Sequence, residues 1–366
     1  MKLICDGLDL SDAVLKVSKA LGTKTANPVL EGIKISAFGD TLTLTATDTE
    51  LTIEKTIKAD VFMEGETVVV GKYFVEFAKK LENEQVELCR LEEGSLQIKY
   101  SDSVSQLQVF SAENFPKIRK EEVGNFFKIK QSEFKKIVER TVFACSSDDS
   151  RPILKGCLFE IENQTLTAVA LDGFRMSVAK KQIVASGDFK SVIPARTLVE
   201  ITRLLDKEDS DITVILQSNT LLIEIENTLL ISRLIEGEFV KYSHILPTAF
   251  ENVVTVNKQN LYQSIERASI VSRNDRYNVV KFEIKENTMG ICAKSEVGEV
   301  NENVAIVLKG KDLTVAFNGK FITDFLRISN ADFINVNLNS PIDPCVITEL
   351  GEEDFLYLIL PVRINA

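Results

Sequence analysis

Lys72 and Lys79, Arg196 and Arg203, and Lys320 and Arg327 are three pairs of cations, the members of each pair seven residues apart. Seven residues is about two helical turns, so on a helix both members of a pair share one face. Phe74, Phe77 and Leu81 fall on the opposite face of the first helix, as do Leu198, Ile201 and Leu205 on that of the second. Such a helix buries one side and presents two cations on the other. The chemistry open to that face is phosphate contact without sequence preference, because nothing in the pattern is arranged to read base edges. A charged helix face is ordinarily just solvated, and for one helix that reading would stand. Three equivalent helices on an otherwise acidic chain weaken it. No aromatic stacking platform accompanies the cations, which argues against a single-strand binder.

Other residue types offer less. Asp48 and Asp172 recur at an interval of 124 residues and could be read as paired acids of an enzyme. An aspartate repeated at strand ends more simply fixes a turn. The six cysteines (Cys5, Cys89, Cys145, Cys157, Cys292 and Cys345) are scattered singly with no CxxC pair, so they read as small buried hydrophobes, not as zinc or redox ligands. The one histidine, His244, excludes a multi-histidine metal site. Phosphate-binding, dinucleotide, zinc-protease and hydrolase motifs are all absent. The sequence therefore predicts no catalytic residues, no metal and no cofactor.

The elements that position the cations come from an internal repeat. Pro28-Val29-Leu30-Glu31-Gly32 reappears as Pro152-Ile153-Leu154-Lys155-Gly156, a shift of 124 residues. At the same shift Leu42 to Asp48 matches Leu166 to Asp172, Val75-Glu76 matches Val199-Glu200, and Phe115 matches Phe239. A fainter third copy keeps the interval through Lys72, Arg196 and Lys320, through Phe77, Ile201 and Phe325, and through Asp48, Asp172 and Glu296. Self-similarity at a fixed period predicts three copies of one unit, at 1–125, 126–248 and 249–366.

Each copy opens with an amphipathic helix, predicted over 11–22, 131–145 and 258–271, with Ser11 and Ser132 placed as N-caps. Alternating β-branched segments such as Thr41-Leu42-Thr43-Leu44-Thr45 follow, then a second helix over 72–83, 196–207 and 320–329, then further strands. Two helices on a mainly antiparallel sheet in each unit is an α+β architecture.

The 366 residues carry a net charge of −11, which by itself argues against nucleic acid. The distribution argues otherwise. Six helical segments (12–24, 72–83, 131–145, 196–207, 258–276 and 320–329) hold 18 basic and 10 acidic residues, and the rest of the chain has a net charge of −19. An acidic exterior would repel a polyanion everywhere except at the helices. No run of apolar residues is long enough to span a bilayer, and an acid at position 6 comes too early for a signal peptide, so a cytoplasmic protein without membrane contact is expected.

The chain resembles the bacterial sliding-clamp family, the beta subunits of DNA polymerase III, over its whole length. The resemblance rests on Asn27 to Gly32 and Thr45-Ala46-Thr47-Asp48, and on Asp148-Asp149-Ser150-Arg151 and Ala170 to Arg175. Val192 to Arg196, Ser232 to Phe239 and the terminal Leu360-Pro361-Val362-Arg363 extend it. It implies a DNA clamp fold closing as a head-to-tail dimeric ring around duplex DNA, with no activity of its own. It also implies tethering of the replicative polymerase, opening by a clamp loader, and docking of repair polymerases, ligase and mismatch-repair proteins.

Carried over by position, the resemblance places Lys24, Lys72, Arg151 and Arg196 at DNA-contacting sites. The repeat adds Lys79, Arg203, Arg273, Arg276, Lys320 and Arg327. The implied partner-peptide pocket comprises Leu154, Leu171, Gly173, Phe174, Arg175, Met176, Val240, His244, Ile245, Ile342, Pro344, Leu360, Pro361, Val362 and Arg363. Aliphatic walls would take a peptide's Leu or Phe anchors and arginines at the rim would orient it. Leu171, Phe174, Val240 and His244 depart from residues frequent in the family, and these changes are expected to make the pocket more apolar. Leu107, Ile270 and Val271 are expected at the dimer interface. The alternatives are an enzyme with a carboxylate site, which intrinsic turnover would reveal, and a non-DNA scaffold, which would leave the seven-spaced cations without a role.

Overall fold

A computed structural model describes residues 1–23, 25–118, 124–205, 209–272 and 278–363. Among them are six α-helices: α1 (Gly7–Val17), α2 (Gly71–Ala78), α3 (Gln131–Thr141), α4 (Ala195–Leu204), α5 (Lys258–Ser272) and α6 (Gly319–Ile328). α2, α4 and α6 start at intervals of 124 residues, as the repeat requires.

The helix ends differ from the sequence reading. α1 begins before Ser11, because Asp6 at the end of the first strand is the N-cap. Its carboxylate accepts from the backbone N–H of Leu8 at 2.9 Å and of Asp9 at 3.0 Å, satisfying two amides that a helix start leaves unpaired. Ser132 likewise lies inside the first turn of α3, so neither serine is a cap. α2 stops at Ala78 and Lys79 is its C-cap.

The chain packs as two compact bodies that are not consecutive stretches of sequence. The first comprises residues 1–131 and 196–234, the second 132–195 and 235–366. Each is built on an extended antiparallel sheet with helices packed against it.

In the first body the strand Thr228–Arg233 pairs with Leu51–Lys58, in register at Leu230 with Ile53. This ladder ties residues of the second repeat to the first. Leu51–Lys58 continues through Thr41–Thr47, Gly32–Phe38, Gly65–Val70 and Ser103–Phe110. Alternation sets the buried face: Leu42 and Leu44, and Leu51 and Ile53, point inward at every second position. Buried Leu10, Val14 and Val17 give α1 one apolar side against these strands.

In the second body Arg175–Gln182 pairs with Phe355–Ile359, in register at Val178 with Leu356, and so ties the second repeat to the third. A buried ion pair crosses the same join. Arg140 of α3 donates to Glu349 at 2.5 Å, with both side chains under a tenth exposed. Glu349 also accepts from the Ser329 hydroxyl at 2.7 Å, and the Arg140 guanidinium lies 4.6 Å from the centre of the Phe355 ring. A buried charge is tolerable only when it is paired and hydrogen-bonded in this way.

Candidate functional site

The cations expected on the second helices are exposed, and their helices bury the apolar side. On α2, Phe74 is fully buried, Phe77 half-buried, and Lys72 and Lys79 exposed. On α4, Leu198 and Ile201 are fully buried while Arg196 and Arg203 are exposed. On α6, Phe325 and Leu326 are buried while Lys320 and Arg327 are exposed. The seven-residue spacing therefore does place each pair on a solvent face.

Most of these cations have an acidic partner. Lys79 Nζ lies 2.7 Å from Glu76, whose carboxyl it holds below the usual range. Arg203 lies 2.5 Å from Glu200, Lys320 lies 2.6 Å from Asp324, and Arg327 lies 2.9 Å from Glu266. Arg196 reaches Asp48 at 2.5 Å and donates to the Lys19 carbonyl at 2.7 Å. Lys72 lies over the Tyr73 ring at 5.7 Å. The sequence reading did not pair these acids with the cations. The signal was present, since Glu76, Glu200 and Asp324 keep the same 124-residue interval as the cations. Lys24, Arg273 and Arg276 lie outside the described residues.

Asp48 and Asp172 are turn caps. Asp48 accepts from the N–H of Glu50 at 3.0 Å and Leu51 at 2.8 Å. Asp172 accepts from the N–H of Phe174 at 2.8 Å and Arg175 at 3.0 Å. Their remaining oxygens hold Arg196 and Arg175. The repeated aspartates are accounted for by turn geometry and ion pairing, not by acid–base chemistry. Arg151 sits at the second of these turns, donating to the Asp172 carbonyl at 3.2 Å.

The second turn also organises the expected peptide pocket, all of which lies in the second body. Gly173 has φ of +95°, a conformation costly for any residue with a Cβ, and a Cβ there would meet Arg151 at 2.9 Å. The tight turn leaves Phe174 60% exposed. Its carbonyl accepts from the Leu360 N–H at 2.9 Å, and the Val362 N–H donates to the Ala316 carbonyl at 2.8 Å, so residues 360–362 are held alongside.

Leu154, Leu171 and Met176 are buried in one cluster with Leu158, Val169, Val178 and Leu358. Half-buried Ile153, Phe239, Tyr242 and Leu246 pack on that cluster, and the sequence reading had not placed them in the pocket. The Tyr242 hydroxyl donates to Glu160 at 2.7 Å, and burial pushes its pKa up. Phe174, Val240, Ile245, Ile342 and Leu360 are all exposed apolar residues. Val240 and Ile245 flank the short turn Tyr242–His244, where His244 is exposed. Pro344, Pro361 and Val362 are half-buried, and Arg363 is exposed.

Arg175 is placed differently from a rim residue. Its side chain is 8% exposed and faces inward. The guanidinium donates to Asp172 at 2.9 Å, Asp324 at 2.7 Å and the Phe143 carbonyl at 2.8 Å, and stacks 4.5 Å from the centre of the Phe321 ring. It braces the turn that carries Phe174. Of the two arginines expected at the rim, Arg363 alone is exposed.

Leu107 is half-buried on the strand Ser103–Phe110, and near the end of α5 Ile270 is 68% exposed and Val271 half-buried. Among the described residues no group of three His, Cys, Asp or Glu side chains could hold a metal. Among them, too, no helix is long and apolar enough to cross a membrane.

Comparison with known proteins bears on the whole chain. Residues 1–119 match the family described as DNA polymerase III beta subunit, N-terminal domain. Residues 128–241 match its central domain and 243–363 its C-terminal domain. The beta sliding clamp of Halalkalibacterium halodurans is 31% identical over 362 residues, covering 95% of each chain. That of Staphylococcus epidermidis is 30% identical over 356 residues, covering 94% of each. Among solved structures, a putative DNA polymerase III beta subunit from Eubacterium rectale superposes with a TM-score of 0.95 at 32% identity over all of both chains. The DNA polymerase sliding clamp from Bacillus subtilis does so with a TM-score of 0.96 at 28% identity, again over all of both chains.

Proposed function

This chain belongs to the DNA polymerase III beta subunit family, and on that premise we propose that two copies close head to tail into a ring through which duplex DNA passes. It has the three-domain clamp fold, and its function is that of a sliding clamp, a non-catalytic processivity factor that works with DNA and polymerase. We take the three repeats as bounded at 1–125, 126–248 and 249–366, two helices in each, with α2, α4 and α6 among those lining the hole.

The observation that carries this reading is the recurrence of an exposed cation pair on three helices 124 residues apart, on a chain of net charge −11. A clamp must hold DNA and still move along it. Weak contacts to phosphate from Lys72, Lys79, Arg196, Arg203, Lys320 and Arg327 satisfy both demands, with Arg151, Lys24, Arg273 and Arg276 in the same role. Dissociation then requires the ring to open, which is effective concentration by topology.

Two open strand edges support ring closure. Residues 103–108 pair with Ser95–Tyr100 on one side, and among the described residues nothing pairs with their other edge. Residues 298–305 pair with Thr288–Ser295 and are likewise open on the other side. An exposed strand edge is a template for another strand. The edge at 103–108 of one copy, carrying Leu107, fits the edge at 298–305 of the other, beside Ile270 and Val271. Closed twofold symmetry repeats that contact and leaves neither edge bare.

The pocket floored by Leu154, Leu171 and Met176 receives short apolar peptides of the polymerase, the clamp loader, repair polymerases, ligase and mismatch-repair proteins. Phe174, Val240, His244, Ile245, Ile342, Pro344 and Leu360 to Arg363 form its walls. Such a protein works in the cytoplasm.

Light scattering after size exclusion tests the ring. The expected mass is about 82 kDa, twice the 40.8 kDa of the chain, falling to the monomer value in Ile270→Asp. A wild-type monomer at micromolar concentration would refute closure by the chain alone.

A further inference from the structure

The interval that aligns Lys79, Arg203 and Arg327 also aligns Glu76, Glu200 and Asp324, each three residues before its cation. On each helix the acid approaches that cation. Glu76 lies 2.7 Å from Lys79, Glu200 lies 2.5 Å from Arg203, and Asp324 lies 3.9 Å from Arg327, which Glu266 holds more closely at 2.9 Å. Asp324 also takes Lys320 at 2.6 Å. The arginine tips are more than half exposed, whereas the side chains of Glu200 and Asp324 are 10% and 12% exposed. In these two helices the acid is the fixed member of the pair and the cation the movable one.

Glu200 adds an independent observation. Its second carboxylate oxygen is buried with no hydrogen-bond partner. A carboxylate oxygen taken out of water without a donor is destabilising, and an aliphatic side chain would avoid that cost. Packing therefore does not account for an acid at this place; holding Arg203 does.

We propose that Glu76, Glu200 and Asp324 are positioning residues that weaken the grip of Lys79, Arg203 and Lys320 on the phosphate backbone. The inference rests on the DNA-encircling reading and says what sets the strength of the contact. Each cation exchanges between its own acid and a passing phosphate, so a phosphate contact forms as an ion pair opens. Contacts stay shallow at every position along the duplex, and the ring slides. Opening one exposed pair changes binding by about threefold, and three independent pairs by about thirtyfold.

The test is the affinity of the full-length protein for a short linear duplex of mixed sequence, by fluorescence anisotropy, over a salt series from about 50 to about 200 mM, the range in which phosphate contacts govern affinity. Glu76→Gln/Glu200→Gln/Asp324→Asn should bind about thirtyfold more tightly with a steeper salt dependence. Glu76→Gln/Glu200→Gln, which leaves the Arg175–Asp324 pair intact, should bind about tenfold more tightly. A control, Glu93→Gln/Glu226→Gln/Glu286→Gln, removes the same number of charges from exposed turns and should change little. Equal tightening in the control would overturn the proposal, because net charge alone would explain the effect. Unchanged affinity in both acid variants would also overturn it, provided that Lys72→Glu/Arg196→Glu/Lys320→Glu still weakens binding. If that reversal has no effect either, the DNA-lining reading itself falls.

Discussion

Arg175 and Lys320 share one acceptor: the same carboxylate oxygen of Asp324 takes the guanidinium at 2.7 Å and the ammonium at 2.6 Å. The brace behind Phe174 and a cation of α6 are thus anchored on a single side chain.

Removing one partner of a buried, hydrogen-bonded ion pair leaves the other charge uncompensated, at a cost of about 3–5 kcal/mol. Arg175→Ala should therefore lower the unfolding free energy of the second body by about 3 kcal/mol. Denaturant titration checks this, and Arg175→Lys should recover only part of the loss because a single ammonium cannot span the three acceptors on Asp172, Asp324 and the Phe143 carbonyl. A rim arginine would give less than about 0.5 kcal/mol.

The apolar rim predicts a separable binding defect. Phe174→Ala with Leu360→Ala should weaken binding of a short peptide with Leu and Phe anchors by about ten- to a hundredfold, the range of an interface anchor pair. Deleting residues 360–366 should abolish it. Neither change should alter the solution mass. A deletion product that runs as a monomer would refute the separation of pocket from ring.

Buried thiols set an alkaline limit. Burial pushes Cys5 and Cys157 up to about 12 from an ordinary value of 9.0. The folded protein keeps both thiols neutral while the unfolded chain ionises above 9.0, so their contribution to stability is lost as pH rises from there toward 12. Each should cost about 2 kcal/mol between pH 8.5 and pH 10.5. Unfolding free energies across that range should fall less steeply in Cys5→Ala/Cys157→Ala than in the wild type. Parallel curves would contradict the burial argument.

The sequence is legible wherever a pattern is local or recurs at a fixed interval. Seven-residue spacing found the exposed faces of α2, α4 and α6, and the 124-residue interval found the repeat and the turn-capping role of Asp48 and Asp172. What it misread depends on the neighbouring element or on partners far along the chain. Ser11 looked like a cap because the strand that delivers Asp6 to the helix start was not visible. Arg175 was expected at the rim because the family resemblance placed it among the pocket residues. Strand alternation and an acid 149 residues away turn it inward. The two compact bodies cut through the second repeat because its strands join the sheets of both neighbours, at Thr228–Arg233 with Leu51–Lys58 and at Arg175–Gln182 with Phe355–Ile359. Neither pairing has a local signature.

Encirclement is the centre of the account, and the form of the DNA tests it most directly. The protein loaded by a clamp loader onto a nicked circular plasmid should co-elute with the DNA in gel filtration at a salt concentration that strips direct phosphate contacts. Cutting the same plasmid once should release it, because a ring slides off an end. Retention on the linearised plasmid equal to that on the circle would show that the protein is held by contacts instead of topology, and would contradict the account.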